Sequence, residues 1–246
     1  MSTTLSETPI LHDTMPEDAI AHPLPGTRPL APGDWLRRDE RYAEQMALRD
    51  RLIREHRAAV IATRPEGAAA FAELYDIVLA EVGATGDSFT RPDGVIVPLD
   101  PADPVATIGR LAQEDFLVHL RGPDEHWLAG GVLCFPSRWM LAEKIGRPLT
   151  GIHISVPQYD DNIARRVQRL FDGVQPDRPI VRWNNLPYRT ADLHNPQSEA
   201  ISKQTHAPAT EAEGPRPFLR RERQAIRKLP ETGAVVFSIH TYLTRA

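Results

Sequence analysis

His153 is the residue of this sequence whose surroundings point most directly to chemistry. It stands between Ile152 and Ile154 in the segment PLTGIHISVP, which Pro157 closes. The apolar flanks predict a buried strand, so the imidazole is expected either to have a hydrogen-bond partner in the core or to face a pocket. In the first case His153 is a packed core histidine. In the second it is a candidate axial ligand, because a neutral imidazole in an apolar pocket suits haem iron.

The charge run Arg-Arg-Glu-Arg-Gln at residues 220–224 is the second group that could do chemistry. Apolar residues flank it on both sides, and strand alternation places Glu222 and Arg223 on opposite sides. A solvated charged strand is one interpretation. If one side is covered instead, a partly buried Glu222 or Arg223 requires a charged or hydrogen-bonding partner, and that partner could be a ligand such as a haem propionate.

Three further histidines leave alternatives open. His119 and His126 flank a predicted hairpin turn, where they are either a metal-binding pair or half-exposed strand residues. No acidic residue or third imidazole is spaced to complete a metal site. His240 lies in the last predicted strand, and both a structural and a functional role stay open for it.

Motif searches and composition exclude several classes of protein. The sequence has no GxGxxG, GxxxxGK[ST], HExxH or GxSxG motif, which excludes the most readily recognised nucleotide-binding proteins, zinc proteases and α/β-hydrolases. Its 33 acidic and 29 basic residues give a net charge of −4, so no basic excess indicates nucleic acid or an anionic membrane.

The single cysteine and the apolar runs bear on the compartment. Cys134, in an apolar segment, is predicted to be buried, and one cysteine excludes an internal disulfide or a Cys-rich metal or iron–sulfur site. The N-terminal residues lack the pattern of a signal peptide, and the longest apolar run, 128–135, is too short to span a bilayer. A cytoplasmic location is therefore expected.

Hydrophobic periodicity predicts the elements that must position these residues. Residues 1–33 are expected to be an extended Pro-rich arm rather than a packed element, and residues 195–216 a long polar loop. Helices are predicted over residues 39–56, 66–82, 102–116, 137–146 and 159–174, with Asp103 and Ser137 as N-caps and Gly83 and Gly146 as C-caps. Strands are predicted over residues 94–101, 116–122, 126–137, 151–156, 179–186, 219–226 and 235–243. Without a regular βαβ rhythm, this order predicts an α+β fold with a mainly antiparallel sheet.

Two long segments resemble a known family. PSRWMLAEKIGRPLTGIHISVP, at 136–157, is similar to a pattern P-S-x-W-x-x-x-E-K-x-G-x-x-L-x-x-I-H-x-P-V-P. LRRERQAIRKLPETGAVVFSIHTY, at 219–242, is similar to L-R-x-E-R-Q-T-L-x-R-L-P-x-S-G-A-V-x-F-x-I-R-T-Y. With AQEDF and WLRRDERYAEQMALRDRLI, the likeness runs from about residue 34 to the C-terminus. The chain thus resembles the haem-dependent oxidative N-demethylase family, whose type is the α subunit of dimethylamine monooxygenase.

The resemblance implies a fold, a reaction and partners. It implies that residues 34–246 form a single haem-binding domain with a PAS-like antiparallel sheet. This domain would use O2 and reducing equivalents to remove a methyl group from a small secondary amine such as dimethylamine, releasing formaldehyde. Haem b would be bound here, whereas NADPH, FMN and an iron–sulfur cluster would belong to partner subunits that supply electrons. The single cysteine and the missing nucleotide motifs agree with that division.

The resemblance also implies roles for individual residues. By match to I-H-x-P-V-P, His153 is the candidate proximal ligand of the haem iron. Glu222 and Arg223 are the candidate catalytic residues, in the distal pocket or at the propionates. Arg182 and Arg221 are candidates for binding the haem.

The sequence departs from the family pattern at several positions. Ser155 stands where the family has Pro, Ala225 replaces a Thr and His240 replaces an Arg. The Trp of the family's R-x-N-W is either missing or shifted by two positions, to Trp183. Family members usually continue through a further helical segment, whereas this sequence stops at Ala246. Two alternatives to the enzyme therefore stay open: a non-catalytic haem-binding or haem-sensing PAS-like protein, and a protein without haem in which His153 is a core residue.

Overall fold

The fold contains two antiparallel sheets of unequal size. A computed structural model of the chain describes residues 8–22, 26–154, 159–201 and 215–246. Within these ranges the strands are β1 (Arg28–Pro29), β2 (Ile61–Thr63), β3 (Ser88–Thr90), β4 (Ile96–Pro98), β5 (Asp115–Arg121), β6 (His126–Val132), β7 (Ile180–Tyr188), β8 (Phe218–Lys228) and β9 (Val235–Arg245). The helices are α1 (Tyr42–Glu55), α2 (Arg57–Val60), α3 (Ala68–Val82), α4 (Pro104–Gly109), α5 (Leu141–Lys144), α6 (Leu149–Ile152) and α7 (Asp161–Gly173), and a 3-10 turn spans Pro65–Gly67.

The large sheet has the strand order β1-β7-β8-β9-β5-β6-β2, and β3 pairs only with β4. All of these pairings are antiparallel. The longest pair, β8 with β9, matches along both strands. Glu73 stabilises the connection between them by accepting hydrogen bonds from the backbone N–H groups of Glu231 and Thr232. The predicted α+β class with a mainly antiparallel sheet is confirmed, as is the predicted hairpin of β5 and β6.

The two faces of the large sheet have different coverings. On one, the α7 face, Leu149 of α6 and Phe171 of α7 pack against Ile226 and Val235. On the opposite side, the α1 face, helices α1, α3 and α4 contribute to the main hydrophobic core. Because side chains alternate along a strand, each strand of this sheet supplies one set of side chains to each face.

Most of the predicted helices are present. Helices α1, α3 and α7 lie within their predicted ranges, and α3 ends at Gly83, whose φ of 75° is the left-handed conformation that favours glycine at a helix end. The helix predicted over 137–146 is only Leu141–Lys144, and Ser137 is not its N-cap. The Ser137 hydroxyl is hydrogen-bonded to Tyr188 instead.

The described residues before and at His153 form a helical turn, so the strand predicted over residues 151–156 is wrong for residues 151–154, and residues 155–156 lie outside the described residues. Leu149–Ile152 form the single turn α6, and His153 directly follows it. Leu149 and Ile152, three positions apart, both pack in the cluster beneath α7, whereas Ile154 is 60% exposed. Helical spacing therefore buries the apolar side chains that strand alternation would have split between two faces.

Two predicted features fall outside the described residues. Pro157, expected to close the segment of His153, lies in residues 155–158, and most of the predicted polar loop lies in residues 202–214.

The described part of the Pro-rich arm, residues 8–22 and 26–33, contains residues that pack against the sheet, contrary to their prediction as an unpacked extension. Its strand β1 pairs with the start of β7. His12 is buried, and its Nδ1 accepts a hydrogen bond of 3.1 Å from the backbone N–H of Leu243. Just after the arm, buried Trp35 donates its Nε1–H to Ser238 on the α1 face.

A fully buried ion pair joins α1 to the beginning of β5. Arg49 donates to a carboxylate oxygen of Asp115 at 2.7 Å, and both side chains are 0% exposed. Arg49 also donates to the carbonyl oxygens of Gly109, Gln113 and Glu114. These contacts explain why the helix predicted over residues 102–116 ends at Gly109: the residues after it use their side chains and carbonyls to bind α1.

Asp115 extends the same network to the end of β6. Its carboxylate accepts the backbone N–H groups of Cys134 and Phe135 at 2.7 and 3.0 Å. Cys134 is a buried free cysteine, as predicted. One carboxylate thus neutralises a buried guanidinium and satisfies two backbone donors, so its desolvation is compensated.

A buried polar network on the α1 face contains His240. Its ring nitrogens lie 2.9 Å from a carboxylate oxygen of Glu114 and 2.8 Å from one of Asp39. Because both partners are acceptors, both ring nitrogens carry protons and the ring is an imidazolium. Asp39 also accepts from His12. Burial opposes the charge on His240, but Glu114 and Asp39 outweigh it and raise the pKa of His240 to about 9.

Gly130 and Gly131 in β6 allow three strands to approach closely. Gly131 has a φ of 156°, and a Cβ placed on it would lie 1.9 Å from the carbonyl oxygen of Phe116 in β5. A Cβ on Gly130, whose φ is 140°, would lie 2.3 Å from the carbonyl oxygen of Ala62 in β2. Any side chain here would force the backbones apart.

We expect Gly131→Ala to lower the free energy of unfolding by about 3 kcal/mol or more, because the backbone of β5 would have to move. Gly173→Ala is the matched control, since nothing lies within 4 Å of a Cβ at that position. Thermal unfolding of both variants measures the difference, and an equal melting temperature for the two would contradict this explanation of the glycine.

We expect stability to decrease as the pH rises from about 6.5, the ordinary pKa of histidine, to about 9. In this window the folded protein keeps the His240 proton that the unfolded chain has lost. The stabilisation, on the order of 3 kcal/mol, is complete below the lower pH and disappears above the upper one. Denaturant titrations across the window measure it. His240→Gln should show a flatter pH dependence, and an unchanged slope in this variant would refute the assignment.

Candidate functional site

A row of buried polar side chains lies on the α7 face of β8. Arg220 donates its Nε–H to one carboxylate oxygen of Glu222 at 2.9 Å, and Gln224 donates to the other at 3.0 Å. All three side chains are buried. The Glu222 carboxylate is therefore held on both oxygens, in an orientation set by its neighbours on the same strand.

Arg220 anchors this row to the surrounding chain. Its guanidinium donates to the carbonyl oxygen of Leu193 at 2.9 Å, to that of Phe135, and to the hydroxyl of Thr241. Its charge is thus fully used inside the protein, so Arg220 is the counter-ion of Glu222 rather than a group left for a ligand.

Arg182 of β7 extends the row toward the surface. It lies opposite Gln224 in the sheet and donates to the Gln224 amide oxygen. Burial lowers the pKa of Arg182, and Glu222 opposes that effect. Arg182 is half-buried, whereas Arg220, Glu222 and Gln224 are buried, so it is the most exposed of these side chains.

His153 is held in a single neutral form. Its Nδ1 lies 2.8 Å from the carbonyl oxygen of Leu149. A carbonyl only accepts, so Nδ1 carries the proton and Nε2 carries the lone pair. Burial lowers the pKa of His153 to about 4, and the ring therefore stays neutral at physiological pH.

Half-buried apolar side chains also lie on the α7 face. Ile152 and Phe237 each pack in two hydrophobic clusters of the α7 face, and Trp139 packs in one of them. Phe237 lies opposite Ile226 in the sheet, and Ile239 lies opposite Gln224. The α7 face thus carries these apolar side chains together with the polar row of Arg182, Gln224 and Glu222.

The structure does not bring all the predicted site residues together. His153, Arg182 and Glu222 are on the α7 face, whereas Arg221 and Arg223 are on the α1 face. Arg221 donates to the carbonyl oxygen of Ala19, and Arg223 donates to the carbonyl oxygen of Trp35 and to the Asp34 carboxylate. Arg221 and Arg223 therefore hold residues near the N-terminus, Ala19, Asp34 and Trp35, against the sheet.

His119 and His126 are buried, so their interpretation as half-exposed strand residues is wrong. Both rings contact Phe171, at centroid distances of 5.2 and 5.5 Å. Burial and the neighbouring His126 lower the pKa of His119 to about 3. Among the described residues no group of three or more His, Cys, Asp and Glu side chains is arranged to hold a metal ion, which leaves the two histidines without a third ligand.

Arg220 and Gln224 are the members of the polar row that sequence reasoning missed. Strand alternation already groups them with Glu222. The sequence does not show which side of β8 is covered. The residues that bind Arg220 on that side, Phe135 and Leu193, are far away in the sequence. Tyr159, which contacts His153, had no distinguishing signal in the sequence.

Comparison with known proteins identifies the family of the chain. A family model described as haem-dependent oxidative N-demethylase, alpha subunit-like, matches residues 26–246. The chain belongs to this family, and the resemblance seen in its motifs is confirmed. A search of curated proteins finds no match. In the part of the chain that the structure describes, no helix has the length and apolar character needed to cross a membrane.

We expect Glu222→Gln to destabilise the protein by about 3 kcal/mol, because buried Arg220 would lose its counter-ion. Glu231→Gln is the control, since Glu231 is exposed and the same chemical change there should be near neutral. Urea titrations of both variants measure the effect. Equal stability of the two variants would show that Glu222 is uncharged or otherwise compensated in the folded protein.

Proposed function

We propose that this chain is the haem-binding subunit of an oxidative N-demethylase. In this proposal it binds haem b, uses O2 to remove a methyl group from a small secondary amine such as dimethylamine, and releases formaldehyde. One observation carries the proposal: His153 is a neutral imidazole with its Nδ1–H already donated, in a chain of the haem-dependent family.

The state of His153 fits the requirements of an axial ligand. Iron binds the lone pair of a neutral imidazole, and histidines that bind metals usually donate their other N–H to a carbonyl or carboxylate. The Leu149 carbonyl has this role here. Within the described residues Nε2 has no hydrogen-bond partner, and Ile152 and Phe237 provide the apolar surroundings that a porphyrin requires.

Arg182 is the proposed partner of a haem propionate. It lies on the same face as His153, at the half-buried end of the polar row, and its guanidinium suits a carboxylate. We propose no direct haem contact for Arg221 and Arg223, because their guanidinium groups bind residues on the α1 face. Their contribution is to fix β8, on which Glu222 lies.

Glu222 is the proposed catalytic residue. Arg220 and Gln224 hold its carboxylate in one orientation. A carboxylate fixed in this way can attract the cationic form of an amine or hold a proton for transfer. Haem, when bound, supplies the site for O2 and the oxidation chemistry.

Three of the departures from the family pattern lie away from the proposed site. Trp183, Ala225 and His240 all lie on the α1 face, since they are neighbours of Arg223 or alternate with Glu222. Ser155 is outside the described residues. Trp183, Ala225 and His240 therefore contribute no side chain to the α7 face.

The family description as an alpha subunit implies partner subunits. We propose that these partners carry NADPH, FMN and an iron–sulfur cluster and supply the electrons, because this chain has one cysteine and it is buried. The mainly antiparallel sheet with flanking helices is consistent with the proposed PAS-like fold. We also propose that the protein is located in the cytoplasm.

We expect the protein to take up hemin and show a Soret band, and His153→Ala to weaken hemin binding about 10- to 100-fold. Added imidazole should restore the band of the variant by replacing the lost ligand. His56→Ala, which removes an exposed histidine at the end of α1, is the matched control. Hemin titrations followed by absorption measure the affinities, and equal affinity of wild type and His153→Ala would refute the ligand assignment.

Formaldehyde release separates the enzyme from the non-catalytic alternative. The loaded protein is supplied with dimethylamine, O2 and a surrogate reductant, and formaldehyde is quantified with and without amine. Amine-dependent formaldehyde supports the demethylase. Stable haem binding through His153 with no formaldehyde from any small methylated amine would favour a haem-binding or haem-sensing protein.

A further inference from the structure

Tyr159 lies face to face with His153. The two rings are nearly parallel, with an interplanar angle of 9° and a centroid distance of 4.1 Å. Tyr159 directly precedes the start of α7, since Asp160 caps this helix by accepting the N–H of Ile163. The helix that covers the α7 face therefore also determines where the Tyr159 ring stands.

Two contacts together define the orientation of the His153 imidazole. The hydrogen bond from Nδ1 to Leu149 fixes one point of the ring but still permits rotation about that bond. The stacked phenol ring prevents this rotation, because turning the imidazole out of its plane would drive its edge into the Tyr159 ring. With both contacts present, the lone pair of Nε2 has one direction.

The hydroxyl group of Tyr159 does not explain the choice of residue. It is buried and has no hydrogen-bond partner among the described residues. Burial and the nearby Glu125 raise the pKa of Tyr159 to about 12, so the ring stays a neutral phenol. An unpaired buried hydroxyl is unfavourable, which leaves the flat ring as the useful part of the side chain.

We infer that Tyr159 is the positioning residue that fixes the plane of the His153 imidazole and thereby aims Nε2. This inference rests on the proposed role of His153 as the axial ligand. A metal ligand aimed in one direction binds more tightly than one that must be ordered on binding, because the entropy of ordering has already been lost. The stack is therefore a device for haem affinity and for a single ligand orientation.

The test compares Tyr159→Phe, which keeps a flat ring, with Tyr159→Leu, which does not. Tyr75→Leu is the matched control, since it makes the same change at a buried tyrosine of α3. In the apo protein, proton–nitrogen NMR spectra of the imidazole should show one neutral Nδ1–H form of His153 in the wild type, Tyr159→Phe and Tyr75→Leu. In Tyr159→Leu the signal should broaden or split.

The second readout is hemin binding. Tyr159→Phe should keep the wild-type affinity, whereas Tyr159→Leu should lose about tenfold or more, with a broadened electron paramagnetic resonance spectrum of the ferric haem. An unchanged imidazole signal and unchanged hemin affinity in Tyr159→Leu would overturn the inference, even if that variant melts at a lower temperature. Loss of affinity in Tyr159→Phe as well would overturn it by assigning the effect to the hydroxyl.

The same measurements distinguish failure of this inference from failure of the proposed function. If the wild type takes up no hemin, or His153→Ala binds it equally well, the proposed ligand is wrong. The apo spectra then still decide whether Tyr159 fixes the ring of His153.

Discussion

The ion pair of Arg49 and Asp115 is the interaction on which both faces of the sheet depend. The pair is fully buried. It fixes the backbone of two further residues, because Arg49 donates to the carbonyl oxygen of Glu114 and Asp115 accepts from the N–H of Phe135. Glu114 then supplies a carboxylate to His240 on the α1 face, and the carbonyl of Phe135 accepts from Arg220 on the α7 face. Removing one partner would leave an uncompensated buried charge and loosen two networks at once.

The side chains of the long strands β8 and β9 have different roles on the two faces of the sheet. Alternation sends one set of charges to each face. On the α1 face the charges are used structurally, because Arg223 and His240 bind Trp35 and Asp39 in the segment that precedes α1. On the α7 face they surround Glu222 at the margin of an apolar surface. Trp183, Ala225 and His240, three departures from the family pattern, lie on the first of these faces.

The candidate site contains buried polar groups, whose burial is unfavourable unless each group has a hydrogen-bond or charge partner. Its imidazole is kept neutral by burial and aimed by a carbonyl and a stacked ring, and its carboxylate is held by two donors. Such preorganisation lowers the cost of binding a large planar cofactor. These features are the ones that the proposed haem-binding role requires, and the family description as an alpha subunit implies partner subunits.

The sequence alone determined the elements whose periodicity is local. It gave α1, α3 and α7, the hairpin of β5 and β6, the strands β7 to β9, the α+β class, and the candidates His153 and Glu222, because helix and strand patterns depend on residues close in the chain. Tertiary structure decided what depends on distant residues. Burial against α7 made the turn before His153 helical, Arg49 ended α4 at Gly109, and contacts of Arg220 with Phe135 and Leu193 defined which side of β8 is covered. The protonation form of His153 and its stacking on Tyr159 belong to the same group, since only the folded chain brings their partners within reach.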